Sequence, residues 1–179
     1  MTIELSDSER ARYEDQIQGD LGLEGQIRLK QARAIVIGAG GAGSAAATQL
    51  AACGVGYVAV VDGGKVGLHD LAGQAIYYTP DVGESKADTL AVKLGLLNPE
   101  VQVESYPVDL DAQNASAIVE GHDIVLDCTR DPDAAAALAA SGGAVVGLVG
   151  EHSTSVAAGA TLAAGAMKTL SRPAAEALR

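Results

Sequence analysis

Short apolar runs recur along this chain, and between them small apolar residues return on a helical spacing. Runs at 33–38, 57–61, 101–106, 123–127 and 144–149 are rich in Val, Ile and Leu and bounded by Gly, Pro, Asp or Asn, as buried strands are. Helical spacing falls near 42–53, 84–97, 112–120, 132–141 and 154–170. Ahead of the first strand, residues 6–18 form a polar helical pattern opened by Ser6 and Glu9 in capping-box spacing, and 26–31 a second short helix. Asn98-Pro99 stops the helix that contains Lys86, because the residue before proline is pushed out of the α region. Residues 63–81 form a long irregular connection, more often functional than idle at that length. Strand–helix alternation predicts an α/β fold, doubly wound, with a mostly parallel sheet and helices on both faces. Residues 1–170 are expected to form a single domain with its N-terminal helices in 1–31, followed by a tail at 171–179.

The segment Ile35-Val36-Ile37-Gly38-Ala39-Gly40-Gly41-Ala42-Gly43-Ser44 joins an apolar run to a glycine turn and an alanine-rich helix. Gly38 permits the tight turn, Gly40 and Gly41 let backbone N–H groups approach an anion, and Gly43 lets helix and strand pack closely. The helix directs its positive end at whatever sits there, which points to a nucleotide phosphate and a Rossmann-like unit. A second apolar run ends at Asp62, about 20 residues past the turn, where such units place the carboxylate that accepts ribose hydroxyls. The alternative is a purely structural strand, turn and helix, with Asp62 as a strand-end cap.

Composition narrows the partners. A formal charge of −11 and a pI near 4.5 argue against nucleic acid and disfavour anionic membranes, since clustered Lys and Arg are missing. Without a signal-peptide pattern at the start, or a run of about 18 strongly apolar residues, the expectation is a soluble, cytoplasmic protein. The small residues Ala158, Gly159, Ala163 and Gly165 suit a helix packed closely on the sheet, ending before Arg172-Pro173. Aromatics make up only 3% of the chain, so the core must be built from Ala, Val, Leu and Ile. The only cysteines, Cys53 and Cys128, are too few for a disulfide framework or a four-cysteine zinc site. Both are expected to serve as small buried residues, Cys128 near a strand end where ligands bind. His69, His122 and His152 are scattered in expected loops and read as surface residues.

Further motifs combine with these: Arg12-Tyr13 with Gln16-Ile17, Gly25-Gln26 with Leu29, Ala51-Ala52 with Gly54-Val55-Gly56, Gln74, Gly83 with Lys86, Asn98-Pro99, and Asp127-Cys128-Thr129. In order and spacing the set resembles the ThiF/MoeB family, bacterial relatives of ubiquitin-activating enzymes, over residues 6 to 150. That family uses ATP and magnesium to adenylate the C-terminal glycine of a small ubiquitin-like sulfur-carrier protein. The resemblance implies that the glycine turn, Asp62, Gln74 and Asp127 hold the nucleotide and that Lys86 contacts its phosphates. It implies that Arg12 reaches the triphosphate of a neighbouring subunit, hence a homodimer; in an adenylating enzyme Arg12, Lys86 and Arg130, the last not part of the family's pattern, would steady negative charge. Taken alone, Lys86 would be a solvated helix lysine and Arg12 an exposed partner of Glu9.

Departures from the family's pattern matter as much. Gly64 replaces a second aspartate, and Asp70 and Gly73 replace an asparagine and an arginine in the loop. Arg130 stands where the family has its magnesium aspartate, leaving Asp131 or Asp133 as substitutes; Asp131 is the magnesium ligand expected here. Beyond Val149 the family carries a zinc-binding cysteine set and often a catalytic cysteine, which this chain does not match, so no zinc is expected and chemistry should stop at the adenylate. The first expectation is therefore an adenylating enzyme; the alternatives are a regulatory homologue that binds nucleotide or partner without turnover, and, last, an NAD- or FAD-dependent oxidoreductase.

Overall fold

A computed structural model describes residues 3–141, 145–148 and 156–171 of the chain. Five strands, β1 (Arg33–Ile37), β2 (Tyr57–Val61), β3 (Gln102–Tyr106), β4 (Ile124–Asp127) and β5 (Val145–Leu148), form one parallel sheet in the order β3-β2-β1-β4-β5. Pairing is in register from Arg33 opposite Tyr57 to Ile37 opposite Val61, and Ile37 also lies opposite Asp127. β1 and β2 therefore end at the same level as β4, and the strand order reverses between β1 and β4. The fold is Rossmann-like α/β, as the alternation of patterns anticipates.

Both faces of the sheet are covered. Ala34, Val36, Val58, Val60, Ile124 and Leu126 pack under α3 (Gly22–Gln31), α4 (Gly41–Ala52), α5 (Lys86–Leu97) and α8 (Val156–Leu170). On the opposite face, Ile35, Ile37, Ala59, Val61 and Val125 meet α6 (Ala115–Val119) and α7 (Pro132–Ser141). Leu50, Leu90 and Leu94 are fully buried, and each contributes about 1.5–3 kcal/mol of transfer free energy. Ala46 and Ala47 share the first core with Ala163 and Ala166, small side chains that let α4 and α8 approach closely. No described helix is long and apolar enough to cross a membrane.

Three elements differ from their sequence patterns, each for a local reason. The pattern at 6–18 is split into α1 (Asp7–Arg12) and α2 (Glu14–Gln18) at Tyr13, whose backbone leaves the helix at φ −105°, ψ 18°. Tyr13 is buried, and its hydroxyl accepts a hydrogen bond from Asn98 Nδ2 at 2.8 Å, so tertiary anchoring outweighs helix continuity. The capping box is present: Ser6 Oγ accepts from Glu9 N–H, and Glu9 Oε2 accepts from Ser6 N–H. The second helix begins at Gly22, four residues earlier than the apolar pattern at 26–31 begins, with Gly22 at φ +68° making the entry turn. Residues 112–114 are withheld from α6 because Asp111 Oδ1 accepts from the N–H groups of Gln113 and Asn114, an Asx-type turn that competes with the helix.

The N-terminal helices are fastened to the sheet layer by buried polar groups. Lys30 Nζ donates to Glu9 Oε2 at 2.6 Å; this pairing replaces the Glu9–Arg12 contact considered from sequence. Gln26 Nε2 donates to the Cys53 carbonyl, and Asn98 Nδ2 donates both to Tyr13 and to the Ala51 carbonyl at 2.7 Å. Asn98 is completely buried. Asn98→Ala should cost about 2–3 kcal/mol, because it removes three hydrogen bonds, to Tyr13, the Ala51 carbonyl and Glu100 N–H, at a completely buried position. Urea denaturation should show that loss as a lower midpoint at unchanged slope; an unshifted midpoint would contradict this account of how the N-terminal helices are held.

Candidate nucleotide site

β1 leaves the sheet at Ile37, and Gly38 turns the chain at φ +91°, a left-handed conformation that glycine adopts without strain. Gly38 N–H donates to the Val61 carbonyl at 2.7 Å, tying the turn to the end of β2. Gly40 then caps α4, and no side chain satisfies the first-turn N–H groups of that helix. Those donors and the helix dipole make an anion-accepting end. Gly43 lies directly against the Gly38 carbonyl, where a Cβ would have no room, with Cys128 Cβ on its other side. Gly40 has open space at its Cβ position.

The turn forms one wall of a cavity of about 540 Å³ at the switch point between β1 and β4, the place where open α/β sheets bind ligands. Gly38, Gly40, Gly41, Asp62, Gln74, Lys86 and Arg130 all line it, so residues far apart in sequence meet there as expected. Asp62 does two jobs at the rim: Oδ2 accepts from Ala39 N–H and Oδ1 from Gly64 N–H, each at 2.7 Å. With both oxygens fixed, its remaining lone pairs are positioned to accept further hydrogen bonds.

Four expected residues lie elsewhere. Gly43 is under the turn rather than in the cavity. Asp127 is buried at the end of β4, where Oδ1 accepts from the N–H of Thr129 and from its hydroxyl, so it shapes the wall through Thr129. Asp131 immediately precedes α7, its Oδ1 accepting from Asp133 N–H, and lines a smaller adjoining cavity of about 210 Å³ together with Asp62 and Asp109. Arg12 is exposed on α1, donating to the Leu97 carbonyl at 3.3 Å.

Two residues passed over from sequence organise the site. Tyr77, inside the irregular connection, is buried and donates its hydroxyl to the Ala39 carbonyl at 2.9 Å, locking the glycine turn to the loop. Burial raises its pKa well above the ordinary tyrosine range, so the hydroxyl keeps its proton and stays a donor. A tyrosine in an otherwise polar, glycine-bounded loop was the available signal. Asp70 stood out only as a departure from the family. It is 5% exposed and accepts from Gly67 N–H at 2.8 Å, Gln74 Nε2 at 2.6 Å and Lys86 Nζ at 3.1 Å. Burial raises its carboxyl, but these donors outweigh that and hold it below the usual aspartate range. Asp70 is thus an anion facing the cavity at neutral pH, in an ion pair with Lys86.

Cys128 also lines the cavity; burial and then Asp127 push its thiol up to about 12, far from the thiolate needed for nucleophilic attack at neutral pH. Of the histidines, His69 is exposed at the cavity, while His152 lies outside the described residues. His122 departs from the surface reading: it is half-buried against Tyr57, with ring centroids 5.5 Å apart, and burial lowers its pKa.

Sheet, turn and cavity together define a doubly wound α/β protein with an anion-accepting crevice at its switch point. The chain belongs to the ThiF family, whose model matches residues 13–167. It is 45% identical over 119 residues to a sulfur carrier protein adenylyltransferase of Thermus thermophilus, covering 66% of this chain and 44% of that protein. With the adenylyltransferase and sulfurtransferase UBA4 of Vanderwaltozyma polyspora, identity is 40% over 132 residues, 73% of this chain and 30% of the relative. The chain thus spans less than half the length of these relatives. Among solved structures, the E. coli tRNA N6-threonylcarbamoyladenosine dehydratase TcdA in complex with AMP superposes with a TM-score of 0.76 at 26% identity, covering 81% of this chain and 61% of that one.

Proposed function

We propose that this chain binds ATP and adenylates the C-terminal glycine of a ubiquitin-like sulfur-carrier protein. The observation that carries the reading is the uncapped N-terminus of α4, facing Lys86 and Arg130 across a single cavity. Support comes from the relatives, which are named as adenylyltransferases, and from TcdA, solved with AMP and with ATP. E. coli MccB, solved with AMPCPP and MccA, superposes on 64% of this chain with a TM-score of 0.60 at 25% identity.

In this reading the first-turn N–H groups of α4 hold the α-phosphate, and Asp62 accepts hydrogen bonds from the ribose. A carboxylate oxygen of the carrier's terminal glycine attacks the α-phosphorus; the bond to the bridging oxygen breaks, giving an acyl-adenylate and pyrophosphate. Charge building on the phosphate oxygens is met by the helix end and by the cations of the cavity, fixed before the reaction begins. Magnesium, when bound, offsets the negative charge of the leaving pyrophosphate. Among the described residues no cluster of three or more His, Cys, Asp or Glu side chains is arranged to hold a metal, which suits an ion carried mainly by the phosphates. Asp131, on the adjoining cavity that shares Gly38, Asp62 and Thr129 with this one, is the carboxylate we assign to it. In a homodimer, exposed Arg12 would serve the second copy's nucleotide.

Exchange of labelled pyrophosphate into ATP, dependent on a sulfur-carrier protein with a free C-terminal glycine, is the expected result. Exchange at background with carrier saturating would overturn the catalytic reading. Nucleotide binding by calorimetry in the same sample would then leave the second reading, a regulatory homologue without turnover, which the Asp70–Lys86 pair favours because it occupies a phosphate-binding lysine.

A further inference from the structure

The cavity contains two carboxylates and two permanent cations, and their pairing is unequal. Lys86 is 16% exposed and sits 3.1 Å from Asp70, whose carboxylate is held ionised by three donors. The lysine's charge is therefore largely cancelled before any ligand arrives. Arg130, on the opposite wall after β4, is exposed and has no carboxylate partner among the described residues. At Gly73, in the loop beside Asp70, a side chain would meet only open space, and the one other basic group lining that side among the described residues is His69, whose Nε2 lies 3.6 Å from Asp70 Oδ1 and is charged only when protonated.

We propose that Asp70 is a specificity-determining residue: by neutralising Lys86 it leaves Arg130 as the net positive group, so that the site favours a nucleotide bearing one phosphate over one bearing three. This rests on the reading that the cavity takes an adenine nucleotide. A single phosphate is satisfied at the N-terminus of α4. The β- and γ-phosphates extend beyond that end into a region where one of the two cations is already paired and a fixed carboxylate repels them. A triphosphate consequently binds well only with its charge offset by a divalent cation, and its tail runs toward Arg130.

Calorimetric titration with AMP and with ATP, in chelator and without magnesium, tests this on the full chain and on four variants: Asp70→Asn, Arg130→Gln, Lys86→Met and the Asp70→Asn/Lys86→Met pair. Wild type should bind AMP more tightly than ATP. Asp70→Asn should raise ATP affinity about tenfold, the size expected for removing one unit charge in a partly buried site, and leave AMP affinity unchanged. Arg130→Gln should weaken ATP more than AMP, and Asp70→Asn should raise ATP affinity again in the Lys86→Met background, where the carboxylate would otherwise stand uncompensated. An ATP-to-AMP affinity ratio unmoved by Asp70→Asn, with AMP binding intact, would overturn the inference alone. Failure of wild type to bind either nucleotide would overturn it together with the functional reading beneath it. If Asp70→Asn does not fold, judged by circular dichroism, Asp70→Ser replaces it. If neither folds, Arg130→Gln decides: an ATP-to-AMP affinity ratio that it leaves unchanged counts against the proposal.

Discussion

Gly43→Ala is expected to destabilise the chain by about 3 kcal/mol and to abolish nucleotide binding in the fraction that still folds. The new methyl would be driven into the Gly38 carbonyl oxygen, with the Gly38 carbonyl carbon and Cys128 Cβ close behind. These are backbone atoms and the base of a side chain, so no rotamer change relieves the contact. Either α4 moves away from β1 or the turn opens, and both remove the helix end from the cavity. For a domain of this size the melting temperature should fall by about 6–12 °C. Gly40→Ala is the control, because its Cβ would meet nothing and its stability should change by no more than about 1 kcal/mol. Equal melting temperatures for Gly43→Ala and wild type would show that helix and strand are not packed through that glycine.

Asp62→Asn should lower carrier-dependent pyrophosphate exchange by about a hundredfold while preserving shape. The carboxylate serves Ala39 N–H with one oxygen and Gly64 N–H with the other. An asparagine has one oxygen, so one of these N–H groups must face an amide NH2 and lose its partner. That mismatch should cost about 1–3 kcal/mol, and it falls on the turn that frames the phosphate site. A lost hydrogen bond to the ribose would add to the effect. Parallel measurement of AMP affinity locates the damage: weaker binding with proportionate loss of exchange marks a binding role. Unchanged exchange would mean that Asp62 only ends the strand, the structural alternative open from sequence.

Much of this architecture is readable from the chain because it depends on local chemistry. The runs beginning at Arg33 and Tyr57 are apolar and β-branched enough to be buried strands, and they appear as β1 and β2. The glycine turn is legible because Gly38 needs a positive φ, which few other residues adopt, and Gly43 needs to lack a Cβ, which no other residue does. Ser6 with Glu9 announces a helix start through hydrogen bonds made within one turn. Where long-range partners compete, the local pattern misleads. Nothing near Tyr13 in sequence says that Asn98 will draw its hydroxyl inward and break the helix there.

The candidate site divides along the same line. Gly38, Gly40, Gly41, Asp62 and Lys86 are legible through spacing and resemblance, and the fold gathers them around one cavity. Asp131 carries the right chemistry in sequence, but the position of α7 assigns it to the neighbouring cavity. Asp70 is the reverse case, a departure in sequence that the loop buries against Lys86.

By itself the sequence determined that strands and helices alternate and that the turn after β1 must be glycine, because hydrophobic period and steric allowance are properties of the residues themselves. Only the tertiary structure decided which charges stand within a few ångströms of one another. Ion pairing depends on distance and on exclusion of water, and both are set by how the loop after β2 folds over the start of α5.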